Sequence, residues 1–194
     1  QLPQCQRDLV GAIRQAGKRL VFINCSGSAI ALVPEAEACD AILQAWYPGE
    51  RGGDAVADVI FGDYNPSGKL PVTFYRTVDD LPDFLDYTMR NRTYRYFTGK
   101  PLWQFGFGLS YTTFAFGTPE YKDDKVLVSV TNKGKRDGDE IVQVYLRHAG
   151  DTEGPLKTLR GFKRVSIKAG ETKQGEIDMP RESFETWDNT KNVS

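Results

Sequence analysis

The chain has 194 residues, room for one large domain or two small ones. Lys and Arg total 25 against 26 Asp and Glu, a net charge of -1, which argues against nucleic acid or a membrane surface as a partner held by bulk charge. Hydrophobic residues at 40% and charged residues at 26% suit a folded soluble domain rather than a disordered tail, and no apolar run approaches the ~20 residues of a membrane helix.

In chain order, the first part alternates helix-like and strand-like stretches. Gln6–Gly17 places Leu9, Val10 and Ile13 on one helix face, with Gly17 as its stop. Arg19–Asn24 is a continuous apolar run, the pattern of a parallel strand buried on both faces. Val33–Ala38 reads as a short helix with Pro34 in its first turn. Ala41–Ala45 is a second buried strand, and Gly53–Phe61 a helix carrying Val56, Val59 and Ile60. This order predicts a parallel sheet with helices on its faces.

From about residue 112 the period changes to two. Lys125–Thr131 puts Val126, Val128 and Val130 on one face, and Glu140–Arg147 does the same with Val142, Val144 and Leu146. Gly161–Ile167 and Lys173–Met179 also fit strands. Turn clusters such as Asn132-Lys133-Gly134 and Arg136-Asp137-Gly138 separate them, the pattern of an antiparallel β-sandwich. Between the two parts, residues 65–111 are rich in Pro, Gly and aromatics. Loops of that length persist when their own side chains pack them down. Tyr94, Tyr96, Trp103, Phe105 and Phe107 are expected to make this stretch a rigid connector. The competing reading has some of its rings stacking on a sugar.

Chemistry-bearing residues are few. Three cysteines (Cys5, Cys25, Cys39) form no Cys-x-x-Cys pair, and His148 is the single histidine. That argues against a disulfide framework, a zinc site and a Ser-His-Asp mechanism, and no cofactor is expected. Asp79, Asp80, Asp83 and Asp86 sit in a Pro-containing loop and read as solvated or capping groups rather than a catalytic pair. Gly49-x-x-Gly52-Gly53 lacks the dinucleotide spacing and reads as a tight strand-to-helix turn. Sequons stand at Asn24, Asn91 and Asn192, and Asn24 at a buried strand end would be a poor glycan acceptor.

Several runs carry a family resemblance. Ala45-Trp46-Tyr47-Pro48-Gly49-Glu50-Arg51-Gly52-Gly53, Phe61-Gly62-Asp63-Tyr64-Asn65-Pro66-Ser67-Gly68-Lys69-Leu70-Pro71 and Phe105-Gly106-Phe107-Gly108-Leu109-Ser110-Tyr111-Thr112 resemble the carboxy-terminal half of glycoside hydrolase family 3. Asn91-Arg92-Thr93-Tyr94-Arg95-Tyr96-Phe97 looks like its β-xylosidase branch, with β-glucosidase second, and Leu159-Arg160-Gly161-Phe162 extends the match. The resemblance implies a mixed α/β and all-β chain. Residues 1–75 would be part of an α/β sandwich with a mostly parallel sheet and 76–111 an aromatic-rich connector. Residues 112–194 would form a fibronectin type III-like (Ig-like) antiparallel β-sandwich. Both folded parts are expected to be truncated, the second short of its last strand or strands beyond Phe184–Asp188. The free edge would then fray or pair with another copy.

The family resemblance also implies a retaining two-carboxylate mechanism. Its nucleophile is an Asp on an amino-terminal catalytic barrel, and its acid/base Glu precedes a Leu-Pro-x-Gln stretch that Leu2-Pro3-Gln4-Cys5-Gln6 resembles. No catalytic residue is therefore assigned within this chain. The expected partners are that barrel and an oligosaccharide substrate, and members of the family are often secreted or periplasmic. Ligands of open parallel sheets lie beyond the carboxyl ends of the strands. That rule selects the loops Cys25–Ser28 and Trp46–Gly53, and the resemblance implies that the acid/base loop lies on the same rim, which makes Trp46, Tyr47 and Glu50 candidates for substrate binding, against the plainer reading of Trp46 as packing and Glu50 as a surface charge. The remaining alternative is an independent carbohydrate- or protein-binding module.

Overall fold

The computed structural model describes residues 1–185; Trp187 and the Asn192 sequon lie outside them. The chain forms two compact units, Gln1–Tyr64 with Leu70–Phe107, and Asn65–Lys69 with the chain from Gly108 onward.

In the first unit, helix α1 (Gln4–Gln15) is followed by strand β1 (Val21–Asn24), helix α2 (Val33–Ala38), strand β2 (Ala41–Gln44) and helix α3 (Gly52–Phe61). Strands β1 and β2 pair in parallel, Val21 against Ala41 through Asn24 against Gln44. Gly17 ends α1 in a left-handed conformation (φ 68°) that residues with a Cβ adopt only at a cost. Two expectations need correction. Leu9 is exposed, because Arg7, Val10 and Ile13, spaced three apart, form the inward stripe of α1. Strand β1 is not buried on both faces: Phe22 and Asn24 are covered while Val21 and Ile23 are exposed, the alternation of a strand with one face packed. Helix α2 buries Glu35, whose Oε1 lies 3.2 Å from Arg7 Nε on α1.

Residues 70–107 close on themselves. Leu70 donates to the Phe107 carbonyl (2.8 Å) and Gly106 to that of Leu70 (2.7 Å), while Phe74 and Trp103 form an antiparallel bridge. Phe74 is fully buried, with edge-on contacts to Trp46 (6.2 Å) and Trp103 (5.6 Å). Tyr75 meets Phe97 edge-on at 4.9 Å, and Tyr94 stacks on Phe105 at 4.1 Å. Tyr94, Tyr96, Trp103 and Phe105 are half-buried, whereas Phe107 is exposed. Phe84 and Tyr87, each 88% exposed, take no part in this packing. Helix α4 (Thr93–Tyr96), a single turn, lies inside this segment.

The second unit is all β. Strand β5 (Lys125–Asn132) pairs along one edge with β8 (Thr172–Asp178); its other edge takes β3 (Phe114–Phe116) at one end and β4 (Glu120–Lys122) at the other. Strands β6 (Gly138–Leu146) and β7 (Thr158–Ile167) form a separate antiparallel pair, with a bulge at Val144/Tyr145. The expected inward faces supply the core: Val128, Val130, Val142, Val165, Ile167, Ile177 and Met179, with Val126, Val144 and Leu146 against it. Asn132 is buried with every polar atom engaged. It donates to the carbonyls of Arg136 (2.7 Å) and Ile167 (3.1 Å) and accepts from Thr112 Oγ1 (2.6 Å) and the Gly134 amide (3.1 Å), as a buried amide must to avoid a desolvation cost. Segment Asn65–Lys69 is fixed by two residues. Asn65 accepts from Ser110 Oγ and the Tyr111 amide and donates to the Asp137 carbonyl. Lys69 pairs with largely buried Glu140 at 2.9 Å and donates to the Gly108 carbonyl at 3.2 Å.

Candidate functional site

The carboxyl ends of β1 and β2 are braced by a polar network. Asn24 Nδ2 donates to Gln44 Oε1 across the strand pair (2.5 Å) and to Ser26 Oγ (2.9 Å). Ser26 Oγ donates to the Ser28 carbonyl (2.8 Å), and the Ala45 amide donates to the Asn24 carbonyl (2.9 Å). Buried amides satisfied in this way fix the directions in which the two following loops leave the sheet. They also occupy the Asn24 side chain, in keeping with its reading as a poor glycan acceptor.

The three candidate residues diverge. Trp46 sits at φ 57°, a left-handed conformation that costs a bulky residue about 1–3 kcal/mol. Its ring is half-buried against Phe74. Tyr47 points elsewhere: it is 79% exposed, and its ring lies against Gly27 of the β1 loop, where an added Cβ would come within 2.6 Å of Tyr47 Cε2. Glu50 is exposed in the turn that follows. That turn is tight: Gly49 has φ 73°, the Gly52 amide donates to the Gly49 carbonyl (3.2 Å), and a Cβ at Gly52 would meet the Pro48 ring at 2.5 Å. Asp54 lies in the first turn of α3 and pairs with Arg51 at 3.1 Å, so a carboxylate already sits where an anion would be held. The rim thus brings Tyr47 together with the β1 loop and sends Trp46 into the packing. The sequence marks Asn24 as a strand end and Cys25–Ser28 as a rim loop, but neither the network of Asn24 and Ser26 with Gln44 nor the meeting of Gly27 with Tyr47 is legible there. The polar ends of two apolar strands, Asn24 and Gln44, were the available signal.

The acidic loop is a set of turn caps. Asp80 accepts from the Arg76 and Thr77 amides, Asp83 from Leu85 and Asp86 from Thr88. The Thr88 side chain and amide hold the Asp86 carboxyl below its ordinary range. Arg92 ties the loop by donating to the Asp83 (3.0 Å) and Asp86 (2.7 Å) carbonyls. Burial, with the Glu35 and Asp40 charges, raises the Cys39 thiol pKa, the reverse of what a nucleophile needs. Among the described residues no three His, Cys, Asp or Glu side chains are grouped to hold a metal ion.

Comparison with known proteins decides the family. The family model described as glycosyl hydrolase family 3 C-terminal domain matches residues 1–111, and that of a fibronectin type III-like domain matches residues 140–193. The chain belongs to glycosyl hydrolase family 3. It is 52% identical to a xylan 1,4-beta-xylosidase of Xylanibacter ruminicola, over 100% of this chain and 23% of that protein. Identity to a periplasmic beta-glucosidase of Salmonella typhimurium is 41%, over 96% of this chain and 27% of that protein. Among solved structures, DesR, a beta-glucosidase from Streptomyces venezuelae in complex with D-glucose, matches with a TM-score of 0.88 at 32% identity, over 100% of this chain and 28% of DesR. The chain therefore spans about a quarter of the length of the family 3 relatives it matches. The expected architecture, an α/β part followed by a fibronectin type III-like sandwich, is the one found.

Proposed function

We propose that this chain is the carboxy-terminal portion of an exo-acting β-xylosidase that removes terminal β-linked sugars by a retaining mechanism. Retaining hydrolysis needs a carboxylate to trap the oxocarbenium-like centre and a carboxylic acid, ~5–5.5 Å away, to protonate the leaving oxygen. Among the described residues Asp80, Asp83 and Asp86 serve as turn caps and Glu35, Asp54 and Glu140 as ion-pair partners, which supports the family resemblance in assigning the pair to an amino-terminal catalytic barrel and an acid/base loop outside this chain. The α/β unit supplies one wall of the sugar site through the rim carrying Tyr47 and Glu50, with Trp46 packed on Phe74. The sandwich is scaffold. The single observation that favours xyloside over glucoside is the 52% identity to the xylan 1,4-beta-xylosidase across the whole chain. β-Glucosidase is the second reading, favoured by the match to DesR. Each of β6 and β7 has one partner strand among the described residues, which favours self-association of the chain through a sheet edge. The test is an initial-rate comparison of the full-length polypeptide on aryl β-xyloside and aryl β-glucoside. Higher kcat/KM on the xyloside is expected, and preference for the glucoside overturns the branch assignment.

A further inference from the structure

We infer that Tyr47 is a preformed stacking platform for a β-xylopyranosyl ring and that Gly27 is its positioning residue. This inference rests on the reading of the chain as the wall of a xyloside site. The geometry of the ring carries it. A tyrosine on a surface loop ordinarily loses rotamer entropy when a ligand orders it. Here the side chain is 79% exposed yet already seated, because Gly27 presents no Cβ and the ring occupies the place one would take. A methyl group there would come within 2.6 Å of Cε2 and 3.1 Å of Cζ. The Cε2–Cζ–hydroxyl edge of the ring lies toward Gly27, and most of its surface remains open to solvent.

Both loops that meet at this contact are fixed from below. On the β1 side, Asn24 and Ser26 lock residues 24–28 to Gln44. On the β2 side, the left-handed backbone at Trp46 and the contact of its ring with buried Phe74 turn the chain so that Tyr47 faces outward. A strained residue held by buried packing immediately before an exposed aromatic is an arrangement that packing alone does not require. A pyranose offers one face of C–H groups edged by hydroxyls. An open aromatic face matches the C–H groups, and exposed polar residues on the same two loops, Ser28 and Glu50, match the hydroxyls. Xylopyranose lacks the exocyclic hydroxymethyl group and so lies flat on such a ring.

The test is a 1H–15N titration of the 194-residue chain with methyl β-D-xylopyranoside and with xylobiose. Saturable amide shifts centred on residues 26–28 and 47–50 are expected. Tyr47→Ala should weaken the affinity by about tenfold, the loss of one aromatic contact, while Tyr47→Phe and Tyr47→Trp retain it. Gly27 has no positive φ, so Gly27→Ala adds a Cβ without backbone strain; it should displace the ring and match the Tyr47→Ala loss. Absence of shifts at these residues, or unchanged affinity in Tyr47→Ala, overturns the platform. Loss in Tyr47→Ala with full retention in Gly27→Ala overturns the positioning role. Xyloside hydrolysis by the full-length polypeptide would stand through either failure, so the platform and the proposed function fail separately.

Discussion

Replacing Phe74 with Ala should unfold the first unit more readily than any other single truncation in its aromatic layer. Phe74 is fully buried and is the ring shared by Trp46 and Trp103, at 6.2 and 5.6 Å. Its backbone also bridges to Trp103, donating at 2.9 Å. Burying a Phe side chain is worth about 1.5–3 kcal/mol, and each edge contact adds about 0.5–1.5 kcal/mol. The expected loss is therefore about 3–5 kcal/mol, the usual range for a buried Phe→Ala change. Against a typical domain stability of about 5–15 kcal/mol, that is a third of the total or more. Phe74→Leu keeps most of the apolar volume and should lose only about 1–1.5 kcal/mol. The assay is urea unfolding followed by tryptophan fluorescence in a Trp187→Phe background, which leaves Trp46 and Trp103, both touching Phe74, as the emitters. A loss below about 1 kcal/mol, the ordinary mutational average, would refute the claim that this layer holds residues 70–107 to the sheet.

Other expectations follow from the same contacts. Lys69→Ala strands Glu140, whose side chain is only 10% exposed, and should destabilise the sandwich by about 3–5 kcal/mol in denaturant titration; Lys69→Met with Glu140→Leu should recover most of that, and failure to recover would show that the pair does more than neutralise charge. The Asp139 carboxyl is held below its ordinary value by a hydrogen bond from Ser166 and then by Arg164, against partial burial. A depressed carboxylate contributes stability that is present above its unfolded value of about 3.9 and lost as pH falls through the folded value. The stability gap between the natural chain and Asp139→Asn should therefore hold near neutral pH and close below about pH 4, as read from urea midpoints across pH; a gap that widens on acidification would contradict the assignment.

Much of the fold was legible in the sequence because burial imprints a period. The parallel pair β1–β2 and the strands β5 to β8 all announced themselves as apolar runs or alternations. Strands β3 and β4 did not, since three residues carry no period. The β4–β5 hairpin turns on Asp123 and Asp124, both at positive φ, a conformation for which Asp is a weaker signal than Asn-Gly. In the site, Tyr47 followed from the rule that ligands lie beyond strand carboxyl ends. The divergence of Trp46 from Tyr47 was hidden, because a left-handed tryptophan leaves no mark in composition. Gly27 was hidden for another reason. A missing Cβ matters only to a ring twenty positions away, and that proximity exists only once β1 and β2 pair.

The central claim is that bond cleavage belongs to residues outside this chain while the rim at Tyr47 only shapes the sugar site. It is tested most directly by assaying the purified 194-residue chain on aryl β-xyloside, alone and supplemented with the amino-terminal barrel segment. General acid catalysis alone contributes ~10²–10⁴-fold, and if both carboxylates lie outside it, as proposed, the chain should show no turnover above background, with activity appearing only on supplementation. Turnover by the chain alone near the ~10 s⁻¹ typical of enzymes, abolished by replacing one of its own carboxylates, would contradict the account.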